Sequence, residues 1–140
     1  MLQDQSQRPS FGSPYALQNV LPEAVSLVKT IREKNPCTLP LFFQTWGKRD
    51  GDAGNCANGA TALCTYEGVQ DQLTQAYSSF AYYTQPARVA PAGEAWRNYA
   101  NRNSLFAGWS AVQGGAAFLQ VTVPMPPAPE PSWPPAPCSR

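Results

Sequence analysis

The apolar positions of this chain fall into two helical faces and two short extended runs. Leu17, Leu21, Ala24, Val25, Val28 and Ile31 recur at helical spacing, with Ser13 placed to cap and Pro14 suited to a first turn. Pro22 interrupts that pattern and predicts a kink or a fresh start near Asn19. The helix should stop before Asn35-Pro36. Leu39-Pro40-Leu41-Phe42-Phe43 then reads as a buried strand running to Gln44, short and aromatic-rich, with its proline near the start. Thr65 caps a second helix whose apolar face is Val69, Leu73, Ala76, Tyr77 and Phe80. Ala87 to Pro91 predicts a second strand, and Glu94 to Arg102 a short helix carrying Trp96 and Tyr99. A last amphipathic stretch, Ala111 to Val123, contains Gly114-Gly115, which weakens a helix by about 1 kcal/mol per glycine.

Strand, helix, strand is a βαβ unit, so the two strands should be parallel with a right-handed crossover. Thr45-Trp46-Gly47 and Ala90-Pro91 then leave the sheet at one edge. In open α/β sheets ligands sit beyond the carboxyl ends of strands, which makes that edge the expected site. Met1 to Gly12 reads as a polar, glutamine-rich loop. Gly47 to Leu63 reads as a long loop rich in Gly, Asp and Asn. From Pro124 onward proline dominates, and the composition suits extended polyproline II. The organisation expected is one α/β domain over residues 1–123 and a Pro-rich tail or linker over 124–140.

Composition narrows the function. A chain of 140 residues holds one domain at most and can bury roughly two-thirds of its unfolded surface. A net charge of +1, with basic residues scattered, gives no case for nucleic acid. No apolar run approaches the ~20 residues of a membrane span. Met1 is not followed by a basic and then an apolar stretch, so no signal peptide is read. The four cysteines, Cys37, Cys56, Cys64 and Cys138, form no Cys-x-x-Cys pair, and the chain has no histidine, so a zinc site reads poorly and no metal is expected. Disulfides and an oxidising compartment, extracellular or secretory, are the reading of that even count; four free thiols are the alternative. Of three connectivities, Cys56–Cys64 is preferred, because both lie in one glycine-rich loop that needs a staple.

Gln3, Asp4, Gln5, Ser6, Trp46, Arg49, Asp50, Asp52 and Glu94 are the candidate site residues. Each has a plainer role open to it. Asp50 and Asp52 flank Gly51 and suit a turn. Arg49 can pair with either aspartate, and Trp46 can be core. Ser6 has no histidine to activate it as a nucleophile.

Four blocks in order carry a resemblance: Leu2-Gln3-Asp4-Gln5-Ser6-Gln7, Thr45-Trp46-Gly47-Lys48-Arg49-Asp50-Gly51-Asp52, Tyr66-Glu67-Gly68-Val69-Gln70 with Ala76-Tyr77, and Arg88-Val89-Ala90-Pro91-Ala92-Gly93-Glu94-Ala95-Trp96. Together they resemble the SGNH/GDSL-type hydrolase superfamily over roughly Leu2 to Leu119. The resemblance implies a three-layer αβα, flavodoxin-like fold with a parallel sheet. It implies ester chemistry on acyl or carbohydrate esters, no cofactor, and ligand contacts from Gln3, Gln5, Trp46, Arg49 and Asp50. In that family a Gly-Asp-Ser block precedes the glutamine-rich segment, and this chain begins at that segment. The family's Asp-x-x-His block corresponds to Leu105–Val112, which has neither residue. The expectation is a truncated or degenerate hydrolase domain without turnover. The alternative is a non-catalytic extracellular or assembly-associated protein whose proline tail engages a partner. A third reading has Asp50, Asp52 or Glu94 acting as acid and base.

Overall fold

A computed structural model describes residues 1–102. Its centre is a parallel pair, β1 (Leu41–Phe43) and β2 (Arg88–Ala90), with Leu41 opposite Arg88, Phe42 opposite Val89 and Phe43 opposite Ala90. Leu2 bridges to the other side of β1: its N–H donates to the Leu41 carbonyl at 2.8 Å, and its carbonyl accepts from the Phe43 N–H at 2.7 Å. Both strands are shorter than 39–44 and 87–91, the runs the sequence predicts. Pro40 precedes β1 and Pro91 follows β2, and neither has an N–H with which to extend the ladder at that end.

The segment between the strands makes the crossover. The helix α5 (Tyr66–Tyr83) is capped by Thr65, whose hydroxyl accepts from the Gly68 N–H at 3.1 Å. Its expected face, Val69, Leu73, Ala76, Tyr77 and Phe80, is the buried one. The Phe80 ring lies 6.0 Å from Phe42 and 5.5 Å, edge on, from Tyr77, so strand and helix meet through aromatic contacts. Helix α3 (Leu21–Lys34) adds Val28 to the same core. Before it come a short turn of helix, α2 (Ser13–Tyr15), and a π-helical turn over Ala16–Val20. That turn is the break expected near Asn19. Pro22 cannot donate to the carbonyl four residues back, and the wider turn lies across that position.

Two segments read as loops carry structure of their own. In the N-terminal stretch, α1 (Gln7–Ser10) forms where the Arg8 N–H bonds to the Gln5 carbonyl, 3.2 Å, and Ser10 donates its hydroxyl to the Gln7 carbonyl, 2.8 Å. In the 47–63 stretch, α4 (Ala53–Ala57) and a 3₁₀ turn at Thr61–Leu63 are present. Asp52 caps α4, accepting from the Asn55 N–H, while its own N–H donates to the Leu63 carbonyl at 2.7 Å. Gly51 has φ +74°, and a Cβ there would run into the Leu63 and Cys64 carbonyls, so only glycine lets the chain turn in. The Cys56–Cys64 disulfide closes this loop, with Cα atoms 4.9 Å apart, as expected. No cysteine among the described residues is free.

The described residues are thus a mixed helix and strand unit around a two-stranded parallel sheet. No helix among them is long and apolar enough to cross a membrane. The 111–123 stretch, the boundary at 123/124, the tail over 124–140 and the Leu105–Val112 comparison lie outside the described residues.

Candidate functional site

Two backbone bonds build the expected edge. The Gln44 N–H donates to the Ala90 carbonyl at 3.0 Å, and the Gly93 N–H donates to the Gln44 carbonyl at 3.1 Å. They lock the exits of β1 and β2 together, so Thr45-Trp46-Gly47 and Ala90-Pro91 lie at one edge of the sheet. The glutamine-rich segment joins them. Ser6 donates its hydroxyl to Thr45 Oγ1 at 2.8 Å, and Gln7 Nε2 donates to Asp52 Oδ2 at 3.3 Å. The Tyr77 hydroxyl accepts from the Asp4 N–H and lies equally close, 3.2 Å, to the Asp4 carbonyl, to which it donates. Burial raises the Tyr77 pKa, so this phenol keeps its proton and its donor.

Behind that edge lies a buried polar network. Gln70 is fully buried; its Oε1 accepts from the Gly47 N–H at 3.1 Å, and its Nε2 donates to Glu94 Oε1 at 3.4 Å. Gln44, also buried, donates through Nε2 to Thr74 Oγ1 at 2.7 Å, and that hydroxyl donates to Glu94 Oε1 at 2.5 Å. Arg97 on α6 (Ala92–Arg102) donates to Glu94 Oε1 at 2.6 Å and to Asp71 Oδ1 at 2.7 Å. Burial alone would lower the Arg97 pKa; the bonds to Asp71 and Glu94 outweigh it and raise it. One carboxylate oxygen thus gathers donors from Gln70, Thr74 and Arg97. Glu94 is thereby an anchor between α5 and α6. It also lines a cavity of about 350 Å³ together with Gln44, Thr74, Ser78, Val89 and Pro91.

The other candidates are placed differently. Gln3 and Gln5 are exposed, and Trp46 is 51% exposed, so its ring is not core. Arg49 and Asp50 bond to each other, Nε to both carboxylate oxygens and Nη2 to Oδ2 at 2.8 Å, on an exposed turn. That bond lowers the Asp50 pKa and raises that of Arg49. No hydrogen bond or ion pair among the described residues joins this pair to Gln3, Gln5 or Trp46. Asp52 is buried, and its carboxyl is held below the usual carboxylate range chiefly by the Asn55 side chain, which donates to it at 2.8 Å. The structure therefore brings Ser6, Thr45, Gln7 and Asp52 together on one side, and Glu94 into a network on the other.

Gln44, Gln70, Thr74 and Arg97 join the network behind the strand edge and are not among the candidates that the sequence offers. The signal was available for two of them. Gln70 and Thr74 fall beside Leu73 and Tyr77 on the apolar face of α5, and a polar group on a buried face must find partners. Among the described residues no group of three or more His, Cys, Asp or Glu is arranged to hold a metal ion. No protein-family model, curated protein or solved structure matches this chain.

Proposed function

We propose that this chain is a degenerate SGNH/GDSL-type domain, with that family's three-layer αβα plan, which holds an acyl or carbohydrate ester at the strand edge without hydrolysing it. The observation that carries the reading is the setting of Ser6. Its hydroxyl is at the carboxyl edge of the sheet, where such a ligand would sit, but its partner is Thr45 and not a base. A serine hydroxyl becomes a useful nucleophile only when a base takes its proton, and the 140 residues contain no histidine. Asp50, Asp52 and Glu94 are committed to Arg49, to the α4 cap and to the Gln70–Thr74–Arg97 network. That argues against their service as an acid–base pair.

Trp46 supplies the exposed aromatic surface beside that edge, a platform of the kind that sugar rings and acyl chains stack on. Titration with an acetylated monosaccharide, read by tryptophan fluorescence, tests the reading. A saturable change that disappears in Trp46→Phe is expected. Absence of any saturable change contradicts it.

A second reading has its own support. The Cys56–Cys64 disulfide is consistent with an extracellular or secretory setting, and the 124–140 sequence is rich in proline. In that reading the domain is a scaffold and the tail engages a protein partner. Retention of a partner by the full chain, and its loss on replacing the tail with Gly-Ser, would favour it.

A further inference from the structure

Away from the strand edge, a cavity of about 320 Å³ lies between the N-terminal segment and α3. Its floor is Phe42, Tyr77 and Phe80, all buried, with Phe80 in ring contact with the other two. Val20 and Ala24 form a wall, and the exposed Leu27 marks the mouth. Ser6, Thr45 and Trp46 do not line it, and it shares no residue with the cavity beside Glu94. A largely apolar hollow with a few polar groups at its rim is the ordinary make of a small-molecule site. At roughly 300–1,000 Å³ for such sites, this one suits a compact ligand.

The polar rim is unbalanced in charge. Counted by side chains, Asp4 and Glu23 set two carboxylates against the one guanidinium of Arg8. Arg8 is already committed: its Nη2 donates to Glu23 Oε1 at 2.9 Å and to the Asn19 carbonyl at 3.4 Å. Asp4 has capacity left. Tyr77 holds its backbone, and its Oδ1 accepts from the Gln5 N–H at 2.7 Å, so the carboxylate is fixed in place. The side chain as a whole is 23% exposed, but Oδ2 is buried and accepts no hydrogen bond among the described residues. Arg8 Nη1 stands 3.5 Å from it, an ion pair without a hydrogen bond. A buried carboxylate oxygen without a donor is costly, and a donor that reaches it removes that cost.

We propose that this cavity binds a compact arylalkylamine, with its ring against Phe42 and Phe80 and its ammonium donating to Asp4 Oδ2. Each half of the ligand follows from one half of the site. The floor is aromatic, and rings pack well on rings in offset or edge-on contact. The rim has a surplus carboxylate, which draws in a cation and repels an anion. An ammonium also brings three donors, where an alcohol has one. The reach is set by the protein itself. The Tyr77 side chain extends from its contact with Phe80 to the Asp4 N–H, and a ring with a two-carbon linker to nitrogen is of similar length. This inference goes beyond the ester reading and uses neither Ser6 nor Trp46.

Isothermal titration calorimetry of the full chain with 2-phenylethylamine tests it. Saturable one-to-one binding is expected. The carboxylate 3-phenylpropionate, similar in shape and opposite in charge, should give none. Asp4→Asn keeps the size of the side chain and should weaken the amine at least about ten-fold, the scale of a hydrogen bond to a charged group. Ala24→Leu fills the cavity from its wall and should abolish binding with the rim untouched. Each variant is checked by urea unfolding, so lost binding is not read from an unfolded chain. Trp46 does not line the cavity, and Trp46→Phe should leave amine binding unchanged, which separates this result from that of the ester titration. No saturable heat with the amine would overturn the proposal. So would equal binding of the carboxylate, full affinity in Asp4→Asn or Ala24→Leu, or loss of amine binding in Trp46→Phe.

Discussion

Two pairs of opposite charge follow the ends of the two parallel strands, Arg49–Asp50 after β1 and Arg97–Glu94 after β2. Both pairs have short contacts, 2.8 and 2.6 Å. Their surroundings differ. Among the described residues the first pair, 69% and 77% exposed, has side-chain bonds within the pair alone; the second is 20% and 32% exposed and is joined to Gln70, Thr74 and Asp71. An exposed pair gains little, since water screens it and two long side chains must be ordered. A partly buried network holds more, because each member left alone would be a desolvated polar group without a partner. Charge at the strand edge therefore marks two things here, a structural clamp and a freely solvated turn.

The comparison breaks most visibly at Gly93. A Cβ there would collide with the Thr45 carbonyl and Gln70 Nε2, at the point where β1, α5 and α6 close together. Gly93→Ala should cost about 3 kcal/mol, as overpacking of a tight site does, measured by urea unfolding. A cost below the scatter of the assay would show that the clamp yields. Next comes Gln70→Leu, which strands the Gly47 N–H and removes a donor from Glu94. A loss of about 2 kcal/mol is expected for leaving buried groups unpaired.

Asp52→Ala sharpens the comparison from the β1 side. It removes the α4 cap and the Gln7 contact and should cost about 1 kcal/mol. The pH dependence has a definite sign. The folded-state pKa of Asp52 is depressed, first by the Asn55 side chain, so its contribution is present above the ordinary carboxylate range of about 4 and is lost as pH falls through the folded value. Amide exchange in 52–64 should stay slow from pH 7 to 5, once corrected for intrinsic rates, and quicken below about pH 4. In Asp52→Asn that acid step should be absent. Smallest of all is Arg49→Ala, which should leave the unfolding midpoint where it was, while the same change at Arg97 should lower it.

The contrast also explains what was legible beforehand. The α5 face and the Thr65 cap follow from local spacing, and the parallel exits of β1 and β2 follow from the crossover rule. The break before α3 was visible because one proline, Pro22, dictates it. Cys56 and Cys64 were paired correctly because they share a short loop. The Arg49–Asp50 contact was easy to anticipate for a similar reason, since the residues are adjacent. The clamp was not, because Gln44, Gln70, Thr74, Glu94 and Arg97 come from three elements and meet only after folding. Structure inside 47–63 was also hidden. There the Asp52 cap and the disulfide, and not apolar periodicity, organise the chain.

The central claim is that the strand edge has a serine and a clamp but no base. Hydrolysis of a short-chain aryl ester by the full chain tests it most directly. Loss of triad members commonly removes several powers of ten in rate, so turnover should match buffer, and Ser6→Ala should leave the rate unchanged. Turnover above buffer that vanishes in Ser6→Ala would contradict the account.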